Sequence, residues 1–220
     1  MVSVEEAMAR VTAAFTPLPG EEVSLENALG RVLAEDVHAT VSHPPADVSA
    51  MDGYAVRAGD VAETPASLTV VGEAPAGGCY EGEVAPGEAV RIFTGGTVPR
   101  GADAVVMQEN TERDGATVTI NKSSDPGTHI RPQGQDFKSG DRGLAAGRRL
   151  GPHDIALAAA MNMSHLSVRR NPRLAVLSTG HVLTPPRATP RPDHIPASND
   201  PASVSSISSP SAATLHHCLA

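Results

Sequence analysis

The chain has 220 residues, 40% of them apolar but only 2% aromatic, no tryptophan and a formal charge of −8. A core must therefore be made from small and branched aliphatic side chains, and general attraction to nucleic acid or an anionic membrane is excluded as a basis for binding. There is no apolar run of about 18 residues and no secretion signal in MVSVEEAMAR, and Cys79 and Cys218 stand in unlike contexts, so a reduced, cytoplasmic protein is expected.

Ser3 with Glu6 forms a capping-box pattern, and Val4, Met8, Val11 and Phe15 follow at helical spacing, which predicts an amphipathic helix over 4–15. PLPG at 17–20 stops it. SLENALGRVLAEDV predicts a second helix, with Leu25, Leu29, Val32 and Leu33 on one face and Gly30 unfavourable within it. From about 40 to 140 the pattern changes to β-branched runs (SLTVVGEA, EAVRIF, ADAVVMQE, ATVTIN) separated by Gly, Pro and Asp clusters. GPHDIALAAAMNM returns to helix, with Pro152 suited to a first turn and Met161 and Met163 as core filling. HLSVRRNPRLAVLSTG then gives one short strand and a more apolar one. The latter, Leu174–Ser178, ends at Thr179-Gly180 like the first strand of a parallel α/β domain. After Gly180 the chain is rich in Ser and Pro and shows no apolar period, so 181–220 is expected to be a disordered tail.

The expected fold class is α+β: a β-rich domain over 40–140 inserted between helical segments, 1–39 and 141–171, and followed at 172–180 by the first strand of a truncated α/β domain. Three segments could carry chemistry. SAMDGYA sets one acid, Asp52, before Gly53; this is either an ordinary Asp-Gly turn or a carboxylate presented for use. FTGGTVPRGADAVVMQE follows an apolar strand with Thr94, Gly95 and Gly96, a hairpin turn or a nest of N–H groups for an oxyanion. HIRPQGQDFKSGD places Arg131 five residues before Asp136, as a surface ion pair or as an anion clamp with its orienting acid. His43 before two prolines reads as a turn residue, His153 as part of a helix start, and His216 and His217 beside Cys218 as part of a solvated tail.

SAMDGYAVRAGD, RIFTGGTVPRGADAVVMQE, IRPQGQDFKSGD and LAVLSTG occur in this order and spacing, and together they resemble the molybdopterin molybdenumtransferase family, of the MoeA and gephyrin E-domain type. The resemblance covers residues 4–180. It implies insertion of molybdate into adenylated molybdopterin with Mg²⁺, release of AMP, and an elongated homodimer in which the β-rich domain of one subunit faces the α/β domain of the other. It further implies catalytic positions at Asp52, Thr94, Arg131 and Asp136 in one cleft, with Asp52 acting through Mg²⁺. Gly95, Gly96, Ser178, Thr179 and Gly180 would lie on the cofactor, and 172–180 would begin the molybdopterin-binding domain.

The pattern departs from the family at 181–182, where His181 and Val182 replace two acids, and beyond it the GGxSxG and PGKP segments are absent. Low or absent activity of the chain alone is therefore expected. A non-catalytic binding or dimerisation module and a frameshifted remnant are the alternatives.

Overall fold

A computed structural model describes residues 2–172, 174–178, 183–184, 192–196 and 215–219. Two helices are present among them, α1 (Val4–Ala13) and α2 (Pro152–Ala160). The strands in chain order are β1 (Gly20–Ser24), β2 (Val37–His38), β3 (Val48–Ser49), β4 (Gly53–Val56), β5 (Ala66–Ala74), β6 (Glu88–Ile92), β7 (Ala104–Met107) and β8 (Thr111–Asp114). They continue with β9 (Thr117–Ile120), β10 (Ile130–Arg131), β11 (Arg142–Leu144), β12 (His165–Arg169), β13 (Leu174–Ser178), β14 (Leu183–Thr184), β15 (Ile195–Pro196) and β16 (Leu215–Leu219). The chain divides into two compact units, one of residues 39–141 and one of 1–38 with 142–220.

The 39–141 unit is built on a six-stranded mixed sheet in the order β7-β4-β6-β5-β9-β8, in which only β5 and β6 run parallel. Side chains alternate across it. Tyr54, Val56, Ala89, Ala104 and Val106 join one apolar cluster, while Ala55, Val90, Ile92 and Val105 join another. Burial on both faces explains why β6 and β7 read as largely apolar runs without strict alternation. Small side chains allow close layers, and β4 comes so near β7 that a Cβ on Gly53 would lie 1.9 Å from the Val106 carbonyl oxygen. That close approach is the structural reason for glycine directly after Asp52.

In the other unit, β1 pairs antiparallel with β12, and β2 with β11. Leu33, Leu150, Met161, Leu166 and Val168 are buried there, Met161 as the core filler expected. Helix α1 forms as expected, and Ser3 Oγ accepts the Glu6 N–H at 3.1 Å. Its apolar side chains Val4, Met8 and Val11 are all exposed, as is Phe15 just beyond it.

The expected helix over 24–37 is not formed. Only Leu25–Asn27 makes a 3₁₀ turn, because Gly30 takes a φ of +78° and redirects the chain. Beyond it, backbone groups pair across the unit: Leu33 N–H donates to the Arg148 carbonyl, Leu150 N–H to that of Arg31 and Arg169 N–H to that of Val32. Leu29 is left exposed while Leu33 is buried. Within 181–220, where disorder is expected, β14 pairs parallel with β15 and β16 parallel with β13. The remainder of the tail expectation lies outside the described residues.

Candidate functional site

Asp52 follows β3 and precedes β4, and Thr94 lies two residues beyond β6. The antiparallel pairing of β4 with β6 sets Gly53 opposite Ile92, so the two motifs meet although they are 42 residues apart. Thr94 donates both its N–H and its hydroxyl to Asp52 Oδ1, each at 2.8 Å. The backbone donor, then the hydroxyl, hold the Asp52 carboxyl below its ordinary value of 3.8, with a smaller contribution from the Arg91 charge. Asp52 is therefore a fixed, ionised carboxylate at neutral pH.

This arrangement changes the expected role of the 94–96 turn. Its N–H groups are not an open nest for an external oxyanion. The Thr94 N–H holds Asp52, the Gly95 N–H donates to the Ser49 carbonyl at 2.8 Å, and the Gly96 N–H donates to that of Phe93 at 2.8 Å. The anion in the turn is the protein's own carboxylate.

Arg131, on β10, meets Asp136 through two hydrogen bonds from Nη2, at 3.0 and 2.8 Å, while its Nε donates to Gln135 Oε1 at 3.2 Å. His43 Nδ1 lies 2.8 Å from Asp136 Oδ2, and its ring stacks on Phe137 with centroids 5.6 Å apart. The hydrogen bond with His43, then that with Arg131, lowers the Asp136 pKa. All three side chains are 41–49% exposed. His43, read from sequence as a turn residue, is thus a partner of the acid. The main chain explains the meeting, since His43 N–H donates to the Phe137 carbonyl and Asp136 N–H to that of His43.

The four expected positions are brought together as two pairs, both tied to β3. Val48 lies opposite Arg131 and Ser49 opposite Ile130. Ser49, 1% exposed, accepts from Gly95, donates its own N–H to the Gly96 carbonyl, and bonds Met51 through its hydroxyl at 2.6 Å. Arg91 and Gln108, which sequence reasoning missed, border the Asp52 side. Arg91 donates to the Gly53 carbonyl at 3.0 Å and to Gln108 Oε1 at 2.6 Å, and its guanidinium lies over the rings of Tyr54 and Phe93. Its place within RIFTGG was the one available signal.

Ser178 ends β13; Thr179, Gly180, His181 and Val182 lie outside the described residues. Among the described residues, no group of three or more His, Cys, Asp and Glu side chains is placed to hold a metal ion. Asp52 by itself would offer a cation a single ionised carboxylate. Exposed Cys79 donates to Glu81 Oε1 at 3.1 Å, and that bond pushes the thiol pKa up, away from nucleophilic use. No helix among the described residues is long and apolar enough to cross a membrane.

The family described as MoeA N-terminal region (domain I and II) matches residues 2–162. The molybdopterin molybdenumtransferase of a Nostoc species is 44% identical over 167 residues, which cover 74% of this chain and 38% of the relative. Molybdopterin molybdenumtransferase 2 of Mycobacterium tuberculosis is 39% identical over 206 residues, 90% of this chain and 50% of the relative. A crystal structure of the molybdopterin biosynthesis moeA protein from Pyrococcus horikoshii OT3 matches all of this chain and 60% of its own with a TM-score of 0.89 at 31% identity. The chain spans about half the length, or less, of these curated relatives. On the family match and the shared fold, it belongs to the MoeA family and corresponds over residues 2–162 to that family's N-terminal region.

Proposed function

We propose that the chain serves molybdenum cofactor synthesis, its 39–141 unit forming the β-rich side of a site where molybdate is inserted into adenylated molybdopterin. The observation that carries this reading is the lock of Thr94 on Asp52. An acid fixed in position and kept ionised suits a cation and would repel molybdate itself. When bound, Mg²⁺ would neutralise charge on the phosphates and oxyanion. Arg131, its plane set by Asp136 and Gln135, is the cation for an anionic substrate group, and Asp136 is its orienting acid. Gly95 and Gly96 shape the turn that holds Thr94. Ser178, Thr179 and Gly180 are proposed for the pterin side, and the four catalytic positions for one cleft. A cytoplasmic homodimer completes the reading.

In a complete relative, Ala at the acid matching Asp52 should lower molybdate incorporation by about 100-fold or more. Unaltered incorporation would sink the catalytic role. Residues 1–220 alone, given adenylated molybdopterin, molybdate and Mg²⁺, should incorporate little molybdenum, because they match only half of the Mycobacterium tuberculosis relative's length. A second reading, a non-catalytic association module, is favoured by α1, none of whose residues is buried although Val4, Met8, Val11 and Phe15 recur at helical spacing. Co-purification with a full-length relative, lost on Phe15→Ser, is the expected outcome of that reading; failure to associate would remove it.

A further inference from the structure

Arg131 keeps one edge free. Its Nε donates to Gln135 Oε1 and its Nη2 to both Asp136 oxygens, but its Nη1 has no hydrogen-bond partner among the described residues. Among them, Arg31 Nε is the one unpartnered side-chain nitrogen of a partly buried residue that is closed to solvent, so Arg131 Nη1 is open to it. Across Asp136 stands His43. Its Nδ1 lies 2.8 Å from Asp136 Oδ2, and its Nε2 has no partner among the described residues. The ring is half exposed and stacks on Phe137. Main-chain hydrogen bonds from His43 to Phe137 and from Asp136 to His43 hold it in place.

Charge decides what this trio can bind. The hydrogen bonds with His43 and Arg131 hold the Asp136 carboxyl below 3.8, so near neutral pH its charge cancels that of Arg131. An anion then meets a pair with no net charge. An ionised carboxylate only accepts hydrogen bonds, so Nδ1 carries the proton in the neutral His43 ring and Nε2 is the nitrogen that can gain one. That proton adds a unit charge and a free N–H donor without breaking the bond to Asp136. Nδ1 and Arg131 Nη2 each lie 2.8 Å from the same oxygen, so both cations are held against one atom. The other charged or titratable groups of the surrounding segments are Asp47, Lys138 and Asp141, with His129 just before β10. Imidazole is the side chain whose charge ordinarily changes between about pH 5 and 8. His129 is therefore the rival of His43 and its control.

We infer that His43 is a switchable second cation of the Arg131 site: protonated at Nε2, it joins Arg131 Nη1 in binding a small tetrahedral oxyanion of the phosphate class, and as neutral imidazole it weakens that hold. The inference rests on the proposed role of Arg131 as the cation for an anionic substrate group, and adds the residue and the pH range that govern it. Affinity for the anion is highest while His43 is protonated and falls as pH rises through its titration.

The test is an NMR titration of the 220-residue chain with sulfate at low ionic strength, at about pH 5.5 and about pH 8. Sulfate stays a dianion throughout, so any pH dependence belongs to the protein. Saturable shifts at the Arg131 guanidinium and the His43 ring are expected, with sulfate at least about five-fold tighter at the lower pH. His43→Gln, whose amide can still donate to Asp136, should bind at both pH values as weakly as the parent does at the higher one. His129→Asn should keep the pH dependence of the parent. Arg131→Ala should remove the saturable shifts at both. Sulfate binding that survives Arg131→Ala would sink the proposed role of Arg131 and this inference with it. Binding that is lost in Arg131→Ala but keeps its pH dependence in His43→Gln sinks the inference alone. Equal affinity of the parent at the two pH values, or no saturable shift at either, also overturns it.

Discussion

Asp52 follows β3 and Asp136 follows β10, the antiparallel partner of β3, yet the two acids are held by different chemistry. Asp52 is fixed chiefly by neutral donors of one residue, the N–H and hydroxyl of Thr94, on a turn whose other N–H groups are also engaged. Asp136 is fixed by the side chains of His43 and Arg131, both substantially exposed. One acid is thus built into the backbone, and the other sits in a network of side chains that can rearrange. The difference teaches that depressed carboxyl pKa values in one unit need not signal the same role. The rigid acid suits a fixed cation site, and the adjustable one suits orienting an arginine that follows a substrate.

The largest expected effect breaks the rigid side. Gly53→Ala drives a Cβ into the Val106 carbonyl, and β4 and β7 cannot both stay in place. A loss of about 3 kcal/mol or more, or failure to fold, is expected in urea denaturation. Gln135→Ala, which removes only an exposed partner of Arg131, should change stability by within about 0.5 kcal/mol. Similar effects of the two changes would erase the contrast.

A smaller effect separates the acids themselves. Asp52→Ala should speed hydrogen exchange of the Thr94 amide and leave the amides of β3 and β10 unchanged, since the Thr94 N–H loses its acceptor. Asp136→Ala should leave Thr94 exchange as it was. Coupled loss of protection in both variants would show one network where two are described.

Much of this framework is legible in the sequence, and the gaps have physical causes. β6 and β7 of the 39–141 unit stand out because both faces of the sheet are buried, so EAVRIF and ADAVVMQE are largely apolar, whereas the four residues of β4, GYAV, give no strand signal of their own. The segment 24–37 misleads because Leu25, Leu29, Val32 and Leu33 have helical spacing, while Gly30 and pairing with Arg148 and Ser167 decide its path. Family motifs indicate Asp52 and Thr94 separately; their contact depends on the β4–β6 register, which no local pattern encodes. His43 passes for a turn residue for the same reason, since its partner is 93 residues away.

Salt provides a finer separation. The charges of Arg131 and His43 contribute to Asp136, whereas neutral donors dominate at Asp52. Raising NaCl to about 1 M shortens the screening length to about 3 Å. The Asp136 pKa should move toward 3.8 more than that of Asp52, as read by carboxyl-carbon NMR titration.

The smallest effect is on stability in acid. Asp36, Asp52, Asp136 and Asp154 all titrate below 3.8 in the folded chain. The unfolded chain therefore takes up these protons first as pH falls. Their stabilisation is complete above 3.8 and lost as pH drops through the folded values. The urea midpoint should decline below that range, and the decline should be shallower in Asp136→Asn.

That Thr94 holds Asp52 as an ionised carboxylate is tested most directly by the Asp52 pKa, measured by carboxyl-carbon NMR in the parent chain and in Thr94→Val. The parent value should lie below 3.8, and Thr94→Val should raise it only part of the way, because the larger contribution comes from the backbone N–H that remains. A parent value at or above 3.8, or no change on removing the hydroxyl, would contradict the claim.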